Sequence, residues 1–509
     1  MKKRIKLFII YIVIFGIYFI LQSKFIHNEW FGTDELDIMT GGKAISNGYS
    51  LYDDFLSQHM PFSYYISAVF DSLGATSVSL QRYCFYGLFS LFWTIILCRY
   101  KNVVSKKALF IFPLIHLSLI STYSMGTTIL SEHIAGIGCV IFFLEFLNFY
   151  ENKYLLWHNY LFLSIAVVFT FGTIFIGAFS ILIVGVAVFC TEISWWHEDK
   201  KSLSEKMKEW LHRYIPLFVI CMLPWLVLII VYAAEGNLSN FIFEAYSINR
   251  NIYPKYIQGY GESVVEVFIS IPSILFGWVP QILSSAALDI ATVVYIIVLV
   301  VVILYCARQY LEGKKLFAFF TFLFLASMGT RGTFNFHSTH MVEVMALICA
   351  IYLIDCIESE KQRNLAVLSI FFLLVPFWSD MSGLSNLSAK EEKNVEAKII
   401  EQITEPHEAI WQLNFENNTV MLSDRASIAN VAAVPWMWEG EKNRVLNKIE
   451  NDMPRVALFN QEQEVWGYKM KEYAPEIVDF IEQNYEQYNG TSIYIRKDSV
   501  ESLTKKIHY

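Results

Sequence analysis

Two adjacent carboxylates, Asp34 and Glu35, follow the first apolar run of the chain by only a few residues. Asp37 comes next, then Gly41-Gly42, Gly48, Tyr52, Asp53, Asp54, Pro61 and Tyr64-Tyr65, all within residues 31–68, a polar stretch between two hydrophobic runs. A carboxylate pair can take a proton from a hydroxyl or ligate a hard cation. It is equally what an ordinary solvated loop carries, and Lys43 is the one lysine or arginine in the stretch to neutralise it. Glu132 lies in a short turn, GTTILSEH. There it either favours a helix dipole from the first turn or is a functional carboxylate at a membrane-embedded helix end, with His133 beside it. Arg331 stands in a second short turn, MGTRGTFNFHSTHMVE, where its planar fork suits a phosphate. His337 and His340 follow, and His340 shares a helical face with Glu343. That histidine pair reads either as metal-binding or as interfacial helix caps. Arg250 and Lys255 stand among Tyr246, Tyr253, Tyr256 and Tyr260, which suits a lipid headgroup bearing phosphate and sugar, or plain interfacial anchoring by tyrosine.

The elements that must position these residues are membrane helices. The 509 residues are 55% hydrophobic and only 17% charged, with mean hydropathy +0.42, whereas soluble domains carry about 25% charged residues. Long apolar runs predict spans near 5–26, 82–99, 108–125, 133–149, 159–172, 174–193, 214–234, 287–306, 316–329, 340–357 and 365–379, about eleven helices of bilayer length. Met1–Ile26 is too long for a signal-peptide core and reads as a retained first span. With the N-terminus inside, the inner segments hold roughly nineteen Lys and Arg and the outer loops about four (Lys43, Arg250, Lys255, Arg331). The N-terminus is therefore expected in the cytoplasm, and everything after about residue 380 outside the cell membrane.

Residues 1–379 thus read as a membrane module with two long outer segments, 27–81 and 235–286. In the first, PFSYYISAVFDSLG reads as an amphipathic helix lying in the interface. The second starts polar and becomes a Pro-broken apolar run, read as interfacial or re-entrant. Residues 380–509 are polar and alternate helix-like with strand-like segments, which predicts a small extracytoplasmic α/β domain. The eight cysteines lie in or beside apolar runs without a CxxC and read as small buried hydrophobes. The span interiors look nearly free of charge. No basic, aromatic-interleaved stripe points to nucleic acid.

The run from Asp34-Glu35 through Gly41, Ile45, Gly48, Leu51-Tyr52-Asp53 and Pro61 to Tyr64-Tyr65, placed just after a first span, resembles the first-loop signature of the GT-C fold glycosyltransferases. Within them it is similar to the family 39-like branch of protein O-mannosyltransferases and the aminoarabinose transferase of lipid A. The resemblance covers the first loop well and the rest of the layout loosely. It implies a mainly α, polytopic GT-C fold and transfer of a sugar from a polyprenyl-phosphate donor to an acceptor hydroxyl on a glycan, lipid or protein, with inversion. By the same resemblance Asp34 is the general base and Glu35 orients it or holds a metal. Glu132 binds the acceptor or completes a cation site, and Arg331, with Arg250 or Lys255, neutralises the departing phosphate. Tyr52, Asp53, Tyr64, His337 and His340 are the implied sugar or acceptor contacts. A divalent cation (Mg, Mn or Zn) on Asp34, Glu35 and Glu132 stays open. Two other classes compete: a surface-polysaccharide polymerase or ligase of related fold, and a lipid or polysaccharide transporter, which would place ionisable residues mid-span.

Overall fold

The computed structural model describes residues 2–26, 33–123, 126–196, 201–256, 290–327, 339–365, 368, 393–406, 408–415, 418–430, 434–451 and 453–507. Arg331, His337, residues 257–289 and, apart from 365 and 368, the expected span at 365–379 lie outside the described residues. The helices, in chain order, are α1 (Lys2–Ser23), α2 (Thr33–Ser46), α3 (Phe62–Ser72), α4 (Val78–Arg99), α5 (Lys106–Tyr123), α6 (Ser131–Asn152), α7 (Trp157–Phe171), α8 (Gly177–Trp196), α9 (Leu203–Ala234) and α10 (Leu238–Ile242). A π-helix over Phe243–Ile252 follows α10. Then come α11 (Ile290–Leu311), α12 (Lys315–Ser327) and α13 (Thr339–Ile351). Five of these helices are long and apolar enough to cross a membrane: α4, α6, α8, α9 and the Ile5–Ser23 part of α1. The chain is mainly helical and carries a small strand-containing region near its C-terminus.

The chain forms two compact units. The first takes residues 1–28, 85–228 and 263–387. Its centre is α6, where nearly every side chain is buried, whereas α1 exposes most of its apolar residues, as a lipid-facing helix does. Pro216 and Pro224 interrupt the hydrogen-bond ladder of α9, and Pro113 that of α5. The unit is not free of buried charge, which corrects the reading of nearly charge-free spans. Glu145 on α6 receives Arg99 Nε at 3.0 Å, the Tyr100 hydroxyl at 2.6 Å and the Asn159 amide at 2.5 Å.

The second unit takes residues 29–84, 229–262 and 388–509. Helices α14 (Val395–Ile403), α15 (Asn418–Leu422), α16 (Pro435–Asn451), α17 (Met470–Tyr473), α18 (Pro475–Asn484) and α19 (Val500–Thr504) accompany a mixed sheet. The strands are β1 (Ala409–Gln412), β2 (Ala426–Ile428), β3 (Val456–Leu458), β4 (Glu464–Val465), β5 (Tyr468–Lys469), β6 (Tyr485–Gln487) and β7 (Ile493–Arg496). The five-stranded order is β2-β1-β3-β7-β6, with β1 parallel to both β2 and β3, and β7 antiparallel to β3 and β6. Asn394 caps α14 by accepting from the Ala397 amide at 2.7 Å. One face of the sheet buries Ile399, Ile400, Ile403, Ile410, Leu458 and Ile493. A separate cluster joins Trp411 to Leu56, Ile248, Trp436 and Trp438.

The acidic stretch after α1 is a helical hairpin rather than a loop. Propensity argues against a helix through Gly41-Gly42, which alone would cost about 1 kcal/mol per glycine. Packing outweighs it. A Cβ on Gly41 would stand 2.4 Å from the Tyr64 ring, and one on Gly42 2.3 Å from Ser67 Oγ and 2.8 Å from the Ala68 amide nitrogen. The two glycines let α2 and α3 touch backbone to backbone. Gly42→Ala is therefore expected to destabilise by about 1–3 kcal/mol through overpacking, less the roughly 1 kcal/mol alanine returns in propensity. Denaturant unfolding of detergent-solubilised protein checks it, with Gly16→Ala as control, because no atom lies within 4 Å of a Cβ built there.

Candidate functional site

Asp34 and Glu35 occupy the first turn of α2, where the helix dipole favours negative charge. Their environments differ sharply. Glu35 is fully buried, and Arg82 of α4, also fully buried, holds it in a two-pronged grip: Nε donates to Oε1 at 2.9 Å and a terminal nitrogen to Oε2 at 2.6 Å. Each oxygen of Glu35 thus accepts from the Arg82 guanidinium. Asp34 is only partly buried. The buried pair pins the first helical turn from which Asp34 projects.

One turn further on, Asp37 accepts a short hydrogen bond from the Tyr64 hydroxyl and faces His59 Nδ1 at 3.4 Å. That hydroxyl also stands 3.1 Å from His59 Nδ1 and 2.6 Å from Ser57 Oγ. Burial, reinforced by Asp37, raises the Tyr64 hydroxyl well above the ordinary tyrosine range, so it stays a donor. His59 is about one-third exposed at 35%. Asp37 and Tyr64 thus back the His59 imidazole, with Asp37 one turn along α2 from Asp34. Nothing in the linear spacing of Asp37 and His59 signals that pairing; it requires α3 to fold back onto α2.

Two implied sugar contacts lie in the interior of the second unit. Tyr52 and Tyr64 are fully buried. The Tyr52 hydroxyl donates to the His59 carbonyl at 2.7 Å, and its ring meets Tyr232 edge-on at 5.7 Å. Both hydroxyls tie the segment together, Tyr52 through the His59 carbonyl and Tyr64 through Asp37 and Ser57. Asp53 is half-exposed and lies 3.4 Å from Arg444. Lys43, nearly fully buried, pairs with Asp424 and with Asp71 at 3.3 Å, so it neutralises those acids rather than Asp34-Glu35. Arg250 is exposed and donates to the Tyr246 hydroxyl. Lys255 donates to Glu439 at 2.6 Å, and Tyr256 donates to the other oxygen of the same carboxylate at 2.5 Å. Glu132 is the second residue of α6, half-buried, in the first unit. His340 lies on α13.

The π-helix contributes a buried carboxylate that the sequence reading did not single out. Glu244 accepts the Ser57 amide at 2.7 Å and is paired with Arg444 of α16. Arg444 also donates to the Tyr52 carbonyl at 2.7 Å and to Glu441 at 2.7 Å. Burial pushes the Glu244 carboxyl above the usual range, and Arg444 opposes that push. A carboxyl raised in the folded state supports folding below its unfolded pKa, and that support is lost as pH rises through the folded value. Removing the cation enlarges the shift. Arg444→Ala is accordingly expected to cost about 3 kcal/mol or more near neutral pH and much less near pH 4, whereas Glu244→Gln costs less than Arg444→Ala throughout. Melting temperatures of the two variants across pH check this; equal, pH-independent losses would refute it.

In the first unit, His116 of α5, His133 of α6 and Glu343 of α13 bring one ligand atom each to within 4.8 Å of one another, all buried. His133 and Glu343 were visible in the sequence only as neighbours of other candidates, and His116 not at all.

No protein-family model matches the sequence, and no curated protein matches it. Among solved structures, the Archaeoglobus fulgidus oligosaccharyltransferase in the apo form is 12% identical, with 89% of this chain and 70% of that chain covered and a TM-score of 0.47. The archaeal oligosaccharyltransferase AglB from Archaeoglobus fulgidus, in complex with an inhibitory peptide and a dolichol-phosphate, is 11% identical, with 96% and 74% covered and a TM-score of 0.45. Likenesses of that size carry no argument about the chemistry of this chain.

Proposed function

We propose that the chain is an integral membrane glycosyltransferase of the GT-C type, which moves a sugar from a polyprenyl-phosphate donor to an acceptor hydroxyl at the outer membrane face. The observation that carries the reading is the division of labour in the first turn of α2: Glu35 is locked by Arg82, and the adjacent Asp34 is left partly exposed on a pinned turn. A base fixed in this way is what hydroxyl activation needs. The acceptor oxygen forms a bond to the anomeric carbon as the carbon–oxygen bond to the lipid phosphate breaks. Asp34 takes the hydroxyl proton, and the polyprenyl phosphate leaves with the bonding pair. Direct displacement inverts the anomeric centre.

Arg331 is our assignment for the phosphate, with Arg250 beside it in role. Lys255 can join them only by exchanging Glu439 for the donor. Glu132 is assigned to the acceptor. Residues 1–379 supply the membrane helices, and the polar C-terminal part, together with 29–84 and 229–262, makes the extracytoplasmic unit.

A second reading of the base follows from the Asp37–His59 pair: an imidazole oriented by a carboxylate, one turn from Asp34 along α2, is itself a competent general base. The two are separated by pH dependence, as argued in the Discussion.

The enzyme class is tested by comparing lipid-linked sugars and surface glycans in cells with and without the protein. The expected result is an accumulated polyprenyl-phosphate sugar together with loss of one glycan decoration. Unchanged glycans with altered uptake or efflux would replace the reading with transport.

A further inference from the structure

Three polar side chains meet inside the first unit. Glu343 Oε1 lies 3.5 Å from His116 Nε2 and 3.8 Å from His133 Nδ1, and none of the three residues is more than 1% exposed. Among the described residues, neither nitrogen of His116 and neither oxygen of Glu343 has a hydrogen-bond partner. Glu145, elsewhere on α6, shows what a satisfied buried carboxylate looks like, with an arginine, a hydroxyl and an amide on it. Among the described residues Glu343 accepts no such bond, and an unsatisfied carboxylate in a membrane-spanning interior is costly.

The space around Glu343 is built. A Cβ on Gly136 would stand 2.2 Å from the Glu343 carboxylate carbon, so α6 gives up a side chain at that level to admit the carboxylate. Phe89 lies parallel to His116 at 6.1 Å, and Trp93 meets the same imidazole edge-on at 5.5 Å. These rings fix the imidazole plane and keep the surroundings apolar.

We propose that His116, His133 and Glu343 bind one divalent transition-metal ion, with zinc as the preferred occupant. The distances support an ion over a direct His–Glu hydrogen bond. A nitrogen–oxygen hydrogen bond closes to about 2.9 Å, shorter than either contact. Ligand atoms around tetrahedral zinc, with bonds of about 2.0–2.1 Å, stand about 3.3 Å apart. The contacts of 3.5 and 3.8 Å reach that spacing with small side-chain rotations. Two imidazoles and a carboxylate select zinc or cobalt over magnesium and calcium, which take all-oxygen shells. The ion offsets the buried negative charge and ties α5, α6 and α13 to one another. Its ligands share no residue with the Asp34 assignment, so either can fail alone.

The test uses the purified full chain in detergent, stripped with EDTA and then given zinc or cobalt chloride, with bound metal measured by elemental analysis after gel filtration. The expected result is about one ion per chain, visible bands of four-coordinate cobalt, and a melting temperature raised by zinc. The double variant His116→Ala/Glu343→Gln should hold at least about tenfold less metal and show no zinc-dependent melting shift. Asp34→Asn and Glu132→Gln should bind as the parent does. Parent protein that takes up neither metal, or a double variant that binds as much as the parent, overturns the site. The parent cobalt spectrum decides the matter even if the double variant does not fold.

Discussion

Asp34→Asn is expected to insert and fold like the parent and to lose sugar transfer about a thousandfold. Asparagine keeps the shape of aspartate and removes only its capacity to take a proton, and a positioned general base contributes about 10²–10⁴ in rate. The lost interaction with the α2 dipole is worth about 0.3–1 kcal/mol, too little to unfold the chain. Steady-state assays with a polyprenyl-phosphate sugar should show the loss in kcat with KM for the donor little changed, because the donor phosphate is assigned elsewhere. Full activity in this variant would remove Asp34 from the base role. The pH profile then separates the two bases. A carboxylate base gives a rate that is flat above about pH 5, whereas a histidine base gives one that rises through about pH 6.5. If His59→Gln rather than Asp34→Asn flattens the profile, the imidazole backed by Asp37 is the base.

Arg82→Ala carries the largest stability penalty we expect, about 3–5 kcal/mol, because it strands the Glu35 carboxylate in a fully buried site. Glu35→Gln strands the guanidinium instead and should cost nearly as much. Replacing both at once, Glu35→Leu with Arg82→Met, should recover most of the stability, since an apolar pair of similar volume avoids the desolvation of two charges. Transfer should fall in all three, including the stable double variant if the pair's role is to hold the turn that carries Asp34. Chemical unfolding of the detergent-solubilised protein, with proteolysis between residues 33 and 82 as a local probe, measures the effect. Additive losses in the double variant would show that the two side chains do not act as a pair.

The membrane helices were largely legible, because hydropathy is read locally. The run at 133–149 became Ser131–Asn152, and that at 159–172 became Trp157–Phe171. The helix ending at Ala234 starts eleven residues before the apolar run, at Leu203 rather than 214, since LSEKMKEWLHR is helical without being apolar. The small α/β region was legible from alternating patterns, although its sheet order is not a property of any single segment. The site was legible in part. Asp34 and Glu35 stood out as an acidic pair, but their separation into one buried ion-paired group and one partly exposed group depends on Arg82, which looked like the edge of a span. Tyr52 and Tyr64 are the residues a sugar site favours, and also the residues a small polar core uses to close hydrogen bonds. His116 is a single polar residue in an apolar run and leaves the hydropathy of that run intact, so only its approach to Glu343 reveals it.

The three-piece construction of the second unit also sets when it can form. Lys43 finds Asp424 across 381 residues of chain, and Asp54 finds Lys448 across 394. At a synthesis rate of about 5–20 residues per second, the early partners wait roughly 20–80 seconds for the late ones. During that interval the α2–α3 hairpin has Asp71 for Lys43 but neither Asp424 nor Lys448. The unit therefore cannot close until residue 448 has been made. Chains cut short before residue 424 should remain prey to membrane proteases at the segment that carries Asp34, and newly made full-length chains should pass through the same window of susceptibility in a pulse-chase experiment.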